Sequence, residues 1–272
     1  RANHSDGQSV EVSTETADLI SFALDMAQKT NGALDPTIYS VLTAWGFTTD
    51  AKQVPSQTEI DRLLPLVDYT QISLAGSTLT VPVGMELDLG AVGKGYTADL
   101  VTELLKSQGV ESALFSLGGN IQAIGSRPDG SNWRIGIRNP QGDGNLGVLE
   151  ISDAAVVTSG GYENYFEDAD GNVYWHILDP ATGYPAETDL LSVTVLSDDG
   201  ALADCLSTTF FIEGRDAALE VVRRQAAGEE TGFELILVDK EGNIYISPSL
   251  SSSVSLAEDK TDRYRLAEIP RA

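Results

Sequence analysis

Apolar residues recur at helical spacing in several stretches of the chain. Leu19, Ile20, Ala23, Leu24, Met26 and Ala27 predict a helix capped by Thr14 or Thr16 and ending at Lys29, before Asn31-Gly32. Short helices are expected over 37–44 and 57–65. The pattern Val92, Ala98, Val101, Leu104, Leu105 predicts a helix over 91–108. Residues 200–212 read as a largely apolar helix, followed by a second over 215–226. Short apolar runs predict strands at 70–74, 78–82, 112–117, 121–125, 133–138, 146–151, 155–158, 162–167, 173–177, 191–196, 233–238 and 243–246. Ala75-Gly76-Ser77 and Asp170-Gly171-Asn172 read as hairpin turns. Residues 1–12 read as a tail ending in a short extended piece, and the last 25 residues as charged and thin in core positions. Antiparallel runs broken by helices predict an α+β fold, one compact domain over 1–272 with two sub-halves, rather than a doubly wound sheet.

Composition narrows the functional classes. The 272 residues are 42% hydrophobic, enough for a globular core, and carry 17 Lys+Arg against 41 Asp+Glu, a formal net charge of -24. So acidic a chain does not attract nucleic acid or an anionic lipid surface through its general field. An anionic substrate needs a local device: a metal ion, a lysine or helix N-termini. Cys205 is the only cysteine, which excludes an intrachain disulfide and a Cys-rich metal site. No run of 18 apolar residues is present.

Chemistry concentrates in a few places. Glu86-Leu-Asp-Leu-Gly-Ala-Val-Gly-Lys-Gly-Tyr96 passes from an extended segment through glycines into a helix, with Asp88 and Lys94 close together. Such a turn suits an anion or is an ordinary strand-to-helix connection. Asp204 and Thr208 lie four apart on the 200–212 helix, placing a carboxylate and a hydroxyl on one face. They read as hard-oxygen ligands for Mg²⁺ or Ca²⁺, or as a surface carboxylate and a threonine bonding back to its helix. An Asp in so apolar a helix needs a partner. Ser207 is adjacent and could contribute through water. His176, at the end of a strand, reads as a general base or as a turn-bonding histidine. Ser116-Leu-Gly-Gly-Asn120 and Thr158-Ser-Gly-Gly161 are Gly-rich strand ends, either site-lining or turns. Gly-x-Ser-x-Gly does not occur, and the one match to GxGxxG, Gly142 to Gly147, falls between two expected strands rather than between a strand and a helix, so it is not a dinucleotide fingerprint.

Taken in order, several segments resemble the ApbE family, the FAD:protein FMN transferases. They are Gly32-Ala-Leu-Asp-Pro-Thr37 with Trp45-Gly-Phe47, Asp88-Leu-Gly-Ala-Val-Gly-Lys-Gly-Tyr96, Ser116-Leu-Gly-Gly-Asn120, Trp133-Arg-Ile-Gly-Ile137, Thr158-Ser-Gly160, His176-Ile-Leu-Asp-Pro-Ala-Thr-Gly183 and Ala203-Asp-Cys-Leu-Ser-Thr208. The resemblance implies T-fold-related antiparallel sheets packed with helices. It implies an enzyme that uses Mg²⁺ to transfer FMN from FAD to a Thr or Ser hydroxyl of a partner flavoprotein, releasing AMP. By the same likeness, the metal ligands are the Ala91 carbonyl and the Asp204 and Thr208 side chains. The FAD contacts fall on Ala33, Leu34, Asp35, Asp88, Lys94 and Leu178, and His176 becomes the candidate base.

Two departures are noted. Some members carry an Asp where Ser207 stands, which implies one carboxylate fewer at the metal here. The family's first strand and helix, with a flavin contact, are expected upstream of Arg1. Members typically sit outside the cytoplasmic membrane, many as lipoproteins, so an extracytoplasmic location and an N-terminal lipid anchor outside this chain are expected. No Asp-x-x-Ser-Gly-Ala-Thr segment is present, so self-flavinylation at that motif is not expected. The alternatives are a Mg²⁺-dependent FAD pyrophosphatase yielding FMN and AMP, a non-catalytic FAD-binding protein, and a structural surface domain.

Overall fold

The computed structural model describes residues 2–49, 51–260 and 262–267. The chain begins with β1 (Val10–Glu11) and α1 (Thr14–Lys29). The α1 cap is Ser13 rather than Thr14 or Thr16: Ser13 Oγ accepts from the Thr16 amide at 3.2 Å. Next come the short helices α2 (Tyr39–Ala44) and α3 (Gln57–Leu63). β2 (Ser73–Ala75) and β3 (Thr78–Thr80) form the expected hairpin, but a 3₁₀ turn at Tyr69–Gln71 takes the first residues of the predicted strand. Asp68 makes that turn by accepting from the Thr70 amide.

α4 (Gly93–Ser107) starts two residues after the predicted position and is followed by β4 (Ala113–Leu117) and β5 (Asn120–Ile124). β6 (Trp133–Arg138), β7 (Asn145–Ile151) and β8 (Ala155–Gly160) match the pattern closely. β9 (Tyr165–Glu167) and β10 (Val173–Trp175) are shorter than expected. Then follow β11 (Leu190–Ser197), α5 (Gly200–Glu213), α6 (Arg215–Ala226), β12 (Phe233–Asp239) and β13 (Asn243–Ile246). Two short strands, β14 (Val254–Leu256) and β15 (Arg265–Leu266), were not predicted. Among the described residues no helix is long and apolar enough to cross a membrane.

The chain divides into two compact units that interleave in sequence: Arg1–Val92 with Gly161–Glu187, and Gly93–Gly160 with Thr188–Ala272. The first unit holds the sheets β1-β3-β2 and β10-β9. One of its cores gathers Ile20, Leu79, Val81 and Met85. Another gathers Val41, Trp45, Ile60, Leu63 and Leu178, with Phe47, Phe166, Tyr174 and Tyr184 packed against it. Trp45 is fully buried and its indole N–H donates to the Gly183 carbonyl at 2.8 Å, so its one polar atom is satisfied. The predicted N-terminal tail is instead pinned. The Asn3 amide group donates to the Leu87 carbonyl and accepts from the Leu87 N–H, each at 2.9 Å.

The second unit is built on a seven-stranded sheet, β15-β13-β12-β11-β8-β5-β4, antiparallel except where β13 meets β15. Its central strands β11 and β12 bury both faces. Ile236, Val238 and Ile244 pack with Leu146, Leu149 and Ile151 of the β14-β7-β6 sheet. α5 packs against β8 and β11 and against α4, which explains a helix apolar on nearly every side. The C-terminal stretch is not thin in core. Leu250 and Tyr264 are buried, and Tyr264 donates its hydroxyl to Asn139 Oδ1 at 2.7 Å.

Candidate functional site

In the second unit, α4 and α5 meet through two glycines. A methyl group at Gly95 would collide with the Gly200 carbonyl and lie 2.8 Å from Asp204 Cβ. One at Gly200 would lie 2.7 Å from Asp99 Oδ1. Asp99 of α4 therefore reaches the first turn of α5, accepting from the Gly200 and Ala201 amides at 2.9 and 2.8 Å. Asp199 accepts from the Leu202 amide at 2.8 Å. Three N–H groups without helical partners are thereby satisfied. Burial pushes the Asp99 carboxyl above the usual range. The two N–H bonds act against that shift, while the Asp199 and Glu103 charges add to it.

The same contact buries Asp204, which is 3% exposed. Its Oδ2 accepts from the Gly95 amide at 3.0 Å, and its Oδ1 lies 3.3 Å from Lys94 Nζ. The apolar helix thus meets its buried carboxylate's need with a backbone donor and a cation. One turn on, Thr208 Oγ1 lies 3.5 Å from the Asp204 backbone oxygen and 3.3 Å from Ser159 Oγ on β8. Ser207 donates to that Asp204 carbonyl at 2.9 Å and contacts Ser159 Oγ at 2.8 Å.

Among the described residues there is no group of three or more His, Cys, Asp or Glu side chains able to hold a metal. The side chains among the predicted ligands, beside the Ala91 carbonyl, are of another kind, one carboxylate with a hydroxyl, and these fit Mg²⁺, which uses one or two carboxylates and keeps several waters. The Lys94 ammonium stands against Asp204 as a cation would. Its side chain is 43% exposed. Its stem passes Gly118, in the β4–β5 turn where Gly118 and Gly119 both take positive φ. The Gly-rich segment 116–120 is thus a hairpin turn beside Lys94.

In the first unit the structure joins two of the segments expected to contact the flavin, the one holding Ala33, Leu34 and Asp35 and the one holding Asp88. The Asp88 amide donates to the Pro36 carbonyl at 2.7 Å, and Ile38 bridges Glu86 in parallel. Asp88 Oδ1 accepts from the Gly90 amide at 3.0 Å, shaping the turn that leads to Ala91. Ala33 is half-buried, and Leu34 and Leu178 are buried. Asp35 spends its carboxylate locally. Oδ1 accepts from the Thr37 amide at 2.8 Å and its hydroxyl at 2.6 Å, and Oδ2 from the Tyr69 amide at 3.1 Å. Its side chain organises its own loop.

His176 is half-buried at the end of β10 and edge-on to the Phe47 ring, with centroids 6.4 Å apart. Its Nδ1 lies 3.2 Å from the Asn164 carbonyl. A carbonyl only accepts, so this contact calls for the proton on Nδ1 and leaves the Nε2 lone pair as the basic one. Lys94, Asp204 and Thr208 are brought together in the second unit; Ala33, Leu34, Asp35, Asp88, Ala91, His176 and Leu178 lie in the first. Sequence reasoning did not single out Asp99, Gly95 or the pairing of Ser159 with Thr208. Gly95 carried a signal, as a glycine inside a helical pattern.

An α+β fold with a buried carboxylate, a neighbouring hydroxyl and a lysine at a helix start defines a class suited to phosphate-bearing ligands. The model of the ApbE family matches residues 1–232, and the chain belongs to this family. It is 37% identical over 223 residues to the FAD:protein FMN transferase of Treponema pallidum, covering 75% of this chain and 61% of that one. To the FAD:protein FMN transferase of Vibrio cholerae it is 34% identical over 223 residues, covering 80% and 66%. The chain thus spans less than two thirds of the length of either relative. The crystal structure of the ApbE protein of Thermotoga maritima superposes with a TM-score of 0.81 at 33% identity, covering 97% of this chain and 82% of that one.

Proposed function

We propose that this chain transfers FMN from FAD, with Mg²⁺, to a Thr or Ser hydroxyl of a partner flavoprotein and releases AMP. The observation that carries the reading is the buried Asp204 carboxylate, held against Lys94 with Thr208 one turn away. Family membership and the names of the relatives support it. Bound Mg²⁺ would neutralise the pyrophosphate and stabilise charge on the leaving AMP. Asp204 and Thr208 would hold the ion. Ala91 lies in the first unit, and its carbonyl enters the proposal on the family likeness alone.

Lys94, released from Asp204 when a metal takes its place, would add positive charge toward the phosphates. His176 Nε2 would take the proton of the acceptor hydroxyl as its oxygen bonds to phosphorus and the pyrophosphate P–O bond breaks. Ala33, Leu34, Asp35, Asp88 and Leu178 would position the flavin half, Asp35 by shaping its loop. The same reading places the protein outside the cytoplasmic membrane, which cell fractionation tests.

The direct assay is incubation with FAD and Mg²⁺, with and without a protein acceptor. AMP release that depends on the acceptor supports transfer. Free FMN and AMP without acceptor mark hydrolysis, and intact bound FAD marks a carrier.

A further inference from the structure

Three hydroxyls meet between β8 and α5, and the shorter contact to the Asp204 carbonyl, 2.9 Å from Ser207 against 3.5 Å from Thr208, gives them a direction. Ser207, fully buried, donates its proton to the Asp204 backbone oxygen at 2.9 Å. Its oxygen can then only accept, so in the 2.8 Å contact Ser159 is the donor. Ser159 has one proton and has used it. Its 3.3 Å contact with Thr208 therefore has Thr208 donating. The competing acceptor for Thr208, the Asp204 carbonyl, is 3.5 Å away and already takes the Ser207 proton. The chain runs one way, from Thr208 to Ser159 to Ser207 to the Asp204 backbone.

We infer that Ser159 is a positioning residue for the metal. It accepts the Thr208 proton and so leaves the Thr208 lone pairs to a divalent cation. The inference rests on the reading of Asp204 and Thr208 as metal ligands. A hydroxyl that coordinates a cation gives up oxygen lone pairs and becomes a stronger donor, so it needs an acceptor on its far side. Without Ser159, the Thr208 proton turns to the Asp204 carbonyl or to solvent, and the coordinating oxygen is no longer fixed. Ser207 acts one step further back by keeping the Ser159 proton away from Thr208. A serine at 207 in place of a carboxylate then has a use: it terminates the chain with a donor to the Asp204 backbone.

The test is titration of the full chain with Mn²⁺ alone, following the free-ion signal by electron paramagnetic resonance. No flavin or turnover is involved. Ser159→Ala should bind Mn²⁺ more weakly by roughly tenfold, the scale seen when a group supporting a metal ligand is lost. Ser159→Thr, which keeps the hydroxyl on a strand that suits a β-branched residue, should restore most of that affinity. Ser207→Ala should weaken binding although it touches no ion, because it frees the Ser159 proton to turn onto Thr208. The metal-free melting temperature of each variant reports its folding.

Unchanged Mn²⁺ affinity in Ser159→Ala overturns the inference and leaves the metal reading standing. Equal loss in Ser159→Ala and Ser159→Thr also overturns it, since the hydroxyl would then not be the active feature. Absence of Mn²⁺ binding by the wild-type chain overturns the metal reading itself, and the inference with it.

Discussion

Lys94 Nζ lies 3.3 Å from Oδ1 of Asp204, a lysine almost half exposed held against a carboxylate that is 4% exposed. The pair spans 110 residues of sequence and joins the starts of α4 and α5. It keeps a buried negative charge compensated in the metal-free chain. Because the lysine reaches solvent, it can yield that place to a divalent ion. Asp204→Asn separates charge from shape. The amide oxygen still accepts from Gly95, so the metal-free fold should lose only about 1 kcal/mol, a shift of about 2–4 °C. Mg²⁺-dependent turnover of FAD should fall by orders of magnitude. Calorimetry without metal and an AMP-release assay check the two halves; full activity in this variant would remove Asp204 from the metal site.

Gly95 is fixed by packing. Gly95→Ala drives a methyl into the Gly200 carbonyl, a backbone atom without freedom to yield. The expected cost is about 1–3 kcal/mol from overpacking. Urea unfolding measures it, and Mn²⁺ affinity should fall in parallel because the Gly95 amide that fixes Asp204 Oδ2 moves.

Asp99 gives a pH signature. Burial raises its carboxyl pKa in the folded chain, so the folded state holds the Asp99 proton to higher pH than the unfolded state. This contribution to stability falls as pH rises from the ordinary carboxylate range through the raised value. Asp99→Asn removes the titration. The stability of the wild type relative to Asp99→Asn should decline over that window, measured by urea unfolding at a series of pH values. A difference that rises with pH would contradict the assignment.

Thr102 on α4 is buried, and its hydroxyl has no hydrogen-bond partner among the described residues. Thr102→Val keeps the shape and removes the unsatisfied group. It should raise stability by about 1 kcal/mol, read as a higher melting temperature with unchanged Mn²⁺ affinity.

The elements were legible where a local pattern decides them. The apolar run from Ala201 to Phe211 announced α5, and an Asp within it announced a need for a partner. That the partners are Lys94 and the Gly95 amide was not legible, because nothing local links positions 110 residues apart. The Ser13 cap was missed because Thr14 and Thr16 stood beside it with the same chemistry. β14 and β15 were missed because they are too short to show alternation, and their pairing with β7 and β13 supplies the stability their sequence lacks. The interleaving of the two units is a property of long-range strand order, as where β8 lies between β5 and β11. Ser159 was visible only as part of a Gly-rich strand end; its place against Thr208 comes from α5 packing on β8.

The most direct measurement is mass spectrometry of a Thr- or Ser-bearing acceptor flavoprotein after incubation with this chain, FAD and Mg²⁺. The account predicts a mass gain equal to FMN esterified to one hydroxyl, abolished by EDTA and by Asp204→Asn. An unmodified acceptor alongside free FMN and AMP, or a mass gain that persists in EDTA, would contradict it.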